Sequence, residues 1–398
     1  MRISTNQMFQ RATDGILDQQ SQMSKTQIQL STGKRVVTPS DDPTAAVQIL
    51  QLQHSVDITN AYQTNIGYAT SSLTSEEQAV SGVTDILQRV RELALQANTG
   101  LLDDPARQGI AQELQQNVKG LLDLANSQDS NGDYLFAGYS TNTKPFSQTS
   151  TGFSYAGDQG QRFIQIGASR QVAITDSGSD VFQAIPNGNG TFVTSYNNAN
   201  TGTGVLDPGQ VTNSAAWVRD TYTITFLTPT TYEVRNSSAA LVTNGAYQSG
   251  AAISFNGIQV SVSGAPAAGD TFTIAPSTKQ DVFTSVQNLA VALSTNVTDA
   301  TSQAKLSNDI NQALVDIDRA MEKFTNVRAA VGARLNAVDA QKSINDDLIS
   351  TTQATLSSEK DLDYASVISL YNRQLLGLQA AQQTFVKMQN MSLFNFIS

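Results

Sequence analysis

Leu30-Ser-Thr-Gly-Lys-Arg-Val-Val-Thr-Pro-Ser-Asp-Asp-Pro43 decides how this chain is read. It ends one helix and begins another. Leu30 is the last of four apolar residues at seven-residue spacing, after Phe9, Ile16 and Met23. Gly33 follows, free to take positive φ, where a helix C-terminal stop is expected. Lys34 and Arg35 stand where cations suit the negative end of a helix dipole. Pro39 cannot continue a helix. Ser40-Asp41-Asp42-Pro43 then offers a capping side chain, acids for a first turn and a proline near the first helical position. The expectation is one helix in, a hinge loop, and a second helix out through Ala45, Val47, Ile49 and Leu50.

On the N-terminal side, residues 1–38 are rich in Gln, Ser and Thr and carry only that thin apolar stripe. Ordering backbone costs about 1–2 kcal/mol per residue. A large apolar side chain returns about 1.5–3 kcal/mol when fully buried. The segment is therefore expected to order only against partners. The opposite end repeats the pattern. From about Asp361, Tyr364, Tyr371, Leu378 and Phe385 fall seven apart, joined by Ala381 and Met388. The tip Met391-Ser-Leu-Phe-Asn-Phe-Ile-Ser398, which includes Phe394, has no local cover and implies a partner.

Between the ends the helical signal is strong on both sides of a different middle. Leu73, Val80, Leu87, Ala94 and Leu101 fall seven apart, interleaved with Glu76, Val83, Val90 and Ala97. That is a coiled-coil-like seam with one polar interruption. Asp103-Asp104-Pro105 opens a further helix through Ile110, Leu114, Val118, Leu121 and Leu122. Tyr134-Leu-Phe-Ala-Gly138 reads as a short strand or turn. From about Gln280 a matching seam returns as Ile310, Ile317, Phe324, Val331 and Val338, interleaved with Leu314, Met321, Arg328 and Leu335. Arg328 marks a place where the seam opens or meets another subunit. Gly332 costs about 1 kcal/mol relative to Ala in a helix interior, an allowance for close packing. A break is expected in the polar run near Thr351 and Thr352.

Residues 141–277 lose helical periodicity and gain Gly, Ser, Thr and Asn. Alternation replaces it at Phe163/Gln165 against Ile164/Ile166, then Val172/Ile174, Tyr222/Ile224/Phe226, Tyr232/Val234, Ile258/Val260/Val262 and Phe272/Ile274, with turns at Asn256-Gly257 and Ala268-Gly-Asp270. The fold class is α+β and multidomain: a helical coiled-coil or bundle core from both termini with an inserted, mainly β domain. The domains are 1–42 with 350–398, the terminal helices; 43–140 with 278–349, a helical rod; and 141–277, the solvent-exposed insert.

Composition narrows the function. The 398 residues carry a net charge of −10 and no cysteine. An acidic chain without a basic run is a poor nucleic-acid binder. No apolar run approaches the roughly 20 residues that span a bilayer, and the N-terminus lacks an apolar signal core. His54, the one histidine, lies in a polar stretch without a nucleophile turn. Paired acids at Asp41/Asp42 and Asp103/Asp104 are accounted for by capping, and Asp176 and Asp180 by a solvated turn rather than calcium. Glycine pairs at Asn187-Gly-Asn-Gly190 and Thr201-Gly-Thr-Gly204 lack a phosphate-loop ending. Trp217 fits strand packing better than sugar binding. The residues give no catalytic, cofactor or metal site and no enzyme.

Four stretches carry a resemblance: Met1-Arg-Ile-Ser-Thr-Asn-Gln-Met-Phe9, Leu30-Ser-Thr-Gly-Lys-Arg-Val36 with Pro39-Ser-Asp-Asp-Pro43, Asn131-Gly-Asp-Tyr-Leu-Phe-Ala-Gly138, and Ser392-Leu-Phe-Asn-Phe396. Together they resemble the flagellin superfamily and, within it, the hook–filament junction proteins. The resemblance covers both helical ends and not the middle. It implies terminal helices around the channel of a tubular assembly, a rod layer outside them and an outward-facing β domain. It also implies copies of itself, an adjacent hook-associated junction protein and flagellin as neighbours, and an export chaperone at the C-terminal helix. The location would be extracellular, on the flagellum, reached by type III export without a cleaved signal peptide. The expected assembly interface is Phe9, Ile16, Met23, Leu30, Tyr371, Leu378, Phe385, Met388 and Phe394. The hinge and cap are Gly33, Pro39, Ser40, Asp41, Asp42 and Pro43. A filament-forming flagellin is the alternative, and an adhesin displayed on such a scaffold is a third reading.

Overall fold

Heptad periodicity in the sequence becomes long helices. The computed structural model describes residues 5–99, 102–150 and 152–390, so Leu101 and Phe394 lie outside the described residues. Six α-helices are present among them: α1 (Thr5–Thr32), α2 (Pro43–Ala97), α3 (Asp104–Ala125), α4 (Val282–Ser294), α5 (Ala300–Lys360) and α6 (Tyr364–Asn390). The chain divides into two compact units, residues 1–64 with 341–398 and residues 65–340. The divisions fall within α2 and α5, whereas the sequence reading cuts at 42/43 and 349/350. A change of helix is therefore not where the compact units part.

In the second unit, α2 and α5 run antiparallel, and Leu73, Val80, Leu87, Ala94, Glu76, Val83 and Val90 are fully buried. So are Ile310, Ile317, Phe324, Val331 and Val338 from α5. The second register of α5 is only half-buried at Leu314, Met321 and Leu335. Arg328 has a partner in the same chain, Glu77 at 2.8 Å, and the pair lies partly exposed at the edge of the seam. Gly332 is corrected. A Cβ built there meets nothing within 4 Å, so close packing does not explain it. The expected break near Thr351 is absent, because α5 runs unbroken through it to Lys360.

α3 starts as its sequence requires. Asp103 accepts the backbone N–H of Ala106 at 3.0 Å, with Pro105 in the first turn. α3 and α4 pack on each other and join α2 and α5 in one apolar core. That core also takes in part of the β segment. The hairpin β1 (Phe146–Thr149) and β2 (Gly152–Tyr155), the hairpin β3 (Phe163–Gly167) and β4 (Arg170–Ala173), and β5 (Ile185–Pro186) supply Phe146, Ile166, Val172 and Ile185 to it. Phe182, on the π-helical turn Ser179–Gln183, lies 5.0 Å from Phe136, 5.3 Å from Phe146, 5.8 Å from Phe283 and 5.4 Å from Phe324, ring centre to ring centre. Composition changes near residue 141, but core membership does not.

A second core begins at Phe192. Two sheets enclose it. One has five strands in the order β11 (Leu241–Ala246), β10 (Thr231–Arg235), β9 (Tyr222–Thr228), β14 (Thr271–Pro276), β6 (Phe192–Tyr196). The other runs β12 (Ala252–Phe255), β13 (Ile258–Ser263), β7 (Val205–Leu206), with β8 (Gln210–Val211) also on β13. β15 (Lys279–Gln280) returns to pair with β5. The alternation holds as read: Tyr222, Ile224, Phe226, Ile258, Val260, Val262, Phe272 and Ile274 all point into this core. Asn256 and Gly257, both at positive φ, turn β12 into β13. Trp217 packs between Phe192 and Tyr222.

This β body meets α5 through polar groups. Lys305 Nζ donates to Asn198 O at 2.7 Å. The buried Asn308 accepts Leu206 N–H at 2.8 Å and donates to Gly204 O at 3.2 Å. Asp316 accepts Gly188 N–H at 2.7 Å. The buried Asn308 and Asp316 are thus paired.

Candidate assembly site at the paired chain ends

Both chain ends lie in the first unit. α1 and α6 pack side by side and antiparallel: Phe9 meets Phe385, Gln19 lies over Gly377, and Tyr364 over Gly33. The rings of Phe9 and Phe385 are 6.1 Å apart and edge-to-face at 85°, a favoured aromatic geometry. Phe9, Ile16, Met23 and Leu30 are half-buried along α1, and Tyr371, Phe385 and Met388 along α6, while Leu378 is buried. The two helical ends therefore pair, and α6 of the same chain is one of the partners that residues 1–38 need, covering one face of α1.

The apolar residues left uncovered are different ones. On α1 they are Met8, Leu17 and Ile28. On α6 they are Tyr364, Ile368, Leu370, Leu376 at 65% exposure and Val386 at 55%. At 100° per residue Leu376 lies opposite the seam and Ile368 and Val386 on its flank, while Tyr364 continues the stripe of Tyr371 and Leu370 shares the side of Met388.

The hinge is built from both ends. Gly33 takes φ of 69°, a region that costs other residues about 1–2 kcal/mol. Beyond it the backbone pairs with the turn between α5 and α6: Leu362 N–H donates to Gly33 O at 3.0 Å, and Arg35 N–H to Lys360 O at 2.7 Å. The Arg35 guanidinium donates to Glu359 O at 3.0 and 2.8 Å and to the Glu359 carboxylate at 2.8 Å. Arg35 therefore complements the C-terminal end of α5 rather than that of its own helix α1, a partner 324 positions away that local reading does not reach.

Asp41 and Asp42 divide the capping between them. The Asp41 carboxylate accepts Val37 N–H at 3.1 Å and Thr38 N–H at 2.9 Å, and Lys25 Nζ lies 2.9 Å from it. Chiefly the Lys25 hydrogen bond, then that of Thr38, holds Asp41 down to about 2. A depressed acid stabilises above its ordinary value of 3.8, and that contribution is lost as pH falls through about 2. Asp42 is the cap of α2, accepting Ala45 N–H at 3.0 Å. Pro43 is the first residue of α2. Pro39 and Ser40 are exposed in the turn, where Ser40 Oγ shares a hydrogen bond with Thr38 at 2.8 Å.

Chemistry-bearing residues elsewhere are engaged structurally. Asp176 is bound by Arg334 at 3.0 and 2.8 Å and is not solvated, whereas Asp180 is a largely exposed acid, as expected, with Lys323 at 3.0 Å. His54 is exposed. Among the described residues no three His, Cys, Asp or Glu side chains gather as metal ligands, and no helix is long and apolar enough to cross a membrane. A cleft of about 530 Å³ is lined by Tyr196, Asn198, Leu289, Lys305, Asp309 and Asp316.

Comparison with known proteins places this architecture. Residues 3–141 match the bacterial flagellin N-terminal helical region, and residues 195–276 match the D2-like domain of flagellar hook-associated protein 1. Flagellar hook-associated protein 3 of Salmonella typhimurium is 30% identical over 395 residues, covering 99% of each chain. The chain belongs to the flagellar hook-associated protein 3 family. The flagellar junction protein FlgL of Legionella pneumophila has a similar structure, with TM-score 0.73 and 34% identity over 79% of this chain and 100% of that one. FlgL of Xanthomonas campestris gives TM-score 0.73 and 34% identity over 77% and 99%. A flagellin of Listeria monocytogenes is 25% identical over only 38% of this chain, so flagellin likeness is confined to part of the chain and the full-length likeness is to hook-associated proteins. The chain is a structural protein of the bacterial flagellum.

Proposed function

We propose that this protein is a non-catalytic adaptor at the hook–filament junction, polymerising through the α1–α6 pair and seating the flagellin filament. The observation that carries the reading is the set of apolar side chains exposed on α6 beyond a seam already filled by α1, with Leu376 and Val386 more than half exposed. Copies of the chain would cover that surface, with an adjacent hook-associated junction protein on one side and flagellin on the other. The seam residues Phe9, Ile16, Met23, Leu30, Tyr371, Leu378, Phe385 and Met388 then shape the assembling element, and Leu17, Ile28, Leu376 and Val386 meet its neighbours. Phe394, outside the described residues, is proposed as a further assembly residue. The hinge of Gly33, Pro39, Ser40, Asp41, Asp42 and Pro43 sets the direction in which α1 leaves α2. The exposed apolar residues of α6 need cover before assembly, which suits a flagellar export chaperone on α6 and delivery to the cell exterior as an unfolded chain.

Antibody raised against residues 192–276 and viewed by electron microscopy on intact flagella tests the assignment. A single narrow band where hook meets filament is expected. Label along the whole filament would make the chain a bulk flagellin instead.

A further inference from the structure

Glu76 is the polar interruption in the α2 seam, and it is fully buried. Its Oε1 accepts the backbone N–H of Asp176 at 3.1 Å. Its Oε2 is buried without a hydrogen-bond partner among the described residues. Beside it Ser72 Oγ, one turn earlier on α2, donates to Ile174 O at 2.8 Å. The pair ties the segment after β4 to α2 just before the chain turns Phe182 into the aromatic cluster. The charged groups around Glu76 are few. Asp176 comes from the tied segment, Arg334 from α5, and Glu77 from α2 itself. Arg334 is already committed to both oxygens of Asp176, which also accepts Gln161 Nε2 at 2.6 Å. Glu77 is committed to Arg328. Arg334 attracts the Glu76 carboxylate at a distance but gives its hydrogen bonds to Asp176, and no hydrogen bond from a cation reaches Glu76 among the described residues.

We propose that Glu76 is a proton-gated latch: as a neutral acid it holds the segment 174–178 against α2, and on ionisation it releases that segment. A buried charge with one backbone donor and an adjacent carboxylate is costly unless paired. Lifting the segment brings water to Glu76 and moves Asp176 away. Burial first, and then the Asp176 charge, push the Glu76 carboxyl up from 4.5 to about 8. The sign follows from linkage. Between those values the folded chain binds a proton that the unfolded chain has lost, so this contribution to stability falls as pH rises through the window and levels off above about 8. The folding constant changes by up to about tenfold per pH unit from this single proton.

Two measurements on the full chain test the latch. Carboxyl-labelled glutamate followed by NMR is expected to give Glu76 a midpoint near 8, with the Asp176 amide shifting in step and its hydrogen exchange accelerating across the same midpoint. Glu76→Gln, compared at each pH, is expected to abolish the Asp176 shift and the exchange acceleration beyond ordinary base catalysis, and to grow more stable relative to the parent as pH rises. The NMR titration needs no variant, so it decides the matter even if Glu76→Gln folds poorly. A Glu76 midpoint in the ordinary glutamate range would overturn the proposal. So would a midpoint near 8 with Asp176 exchange identical in parent and variant, because Glu76 would then be buried without gating the segment.

Discussion

Replacing Phe182 by alanine is expected to cost the unit formed by residues 65–340 about 3–5 kcal/mol, the usual loss when a large aromatic leaves a close-packed core. The reason for an effect at the upper end is its neighbours. Phe182 is fully buried and touches Phe136, Phe146, Phe283 and Phe324, which come from a turn, a strand and two helices. No single element can move inward to fill the space without losing its other contacts. Domains of this size are stable by only about 5–15 kcal/mol, so the variant should unfold at clearly lower denaturant. Urea unfolding at unchanged slope would measure it. A loss under about 1 kcal/mol would mean that the cluster repacks and that β1 to β5 are not anchored on the helices.

The second large effect separates the two faces of the terminal helix pair. Phe385→Asp sets a carboxylate against Phe9 in the α1–α6 seam. It loses the aromatic pair, worth about 0.5–1.5 kcal/mol beyond area burial, and desolvates a charge with no partner. The pair should open, with circular dichroism losing helix while the melting of residues 65–340 stays unchanged. Leu376→Asp acts on the opposite face, where the side chain is 65% exposed. Its cost to the isolated chain should be within about 0.5 kcal/mol, yet incorporation into flagella should be lost. Equal behaviour of the two variants in both assays would remove the distinction between seam and outer face.

Much of this architecture was legible because periodicity reports burial directly. The seven-residue spacings of α2 and α5 and the alternation of Tyr222, Ile224 and Phe226 each name a buried face. The Asp103 and Asp42 caps were legible because capping is local chemistry. What escaped is non-local. Matching stripes at the two chain ends, Phe9, Ile16, Met23 and Leu30 against Tyr371, Leu378 and Phe385, suggest that the ends pair, as α1 and α6 do, but not which residues meet across the pair. Arg35 lies beside the end of α1 in sequence and beside the end of α5 in space. The polarity of Thr351 and Thr352 suggested a break, whereas a long helix tolerates such a stretch while both of its ends are held. Strands Phe146 to Pro186 read as part of the β insert because alternation gives secondary structure, and only packing shows that their apolar faces join the helical core.

The most direct test of assembly through the helix pair is photo-crosslinking in intact flagella, with a photoreactive residue in place of Val386 or, separately, of Phe385. The account predicts adducts between neighbouring subunits from position 386 and an adduct within the chain, to α1, from position 385. Position 386 giving no intermolecular adduct in assembled flagella, while position 385 gives one, would contradict it.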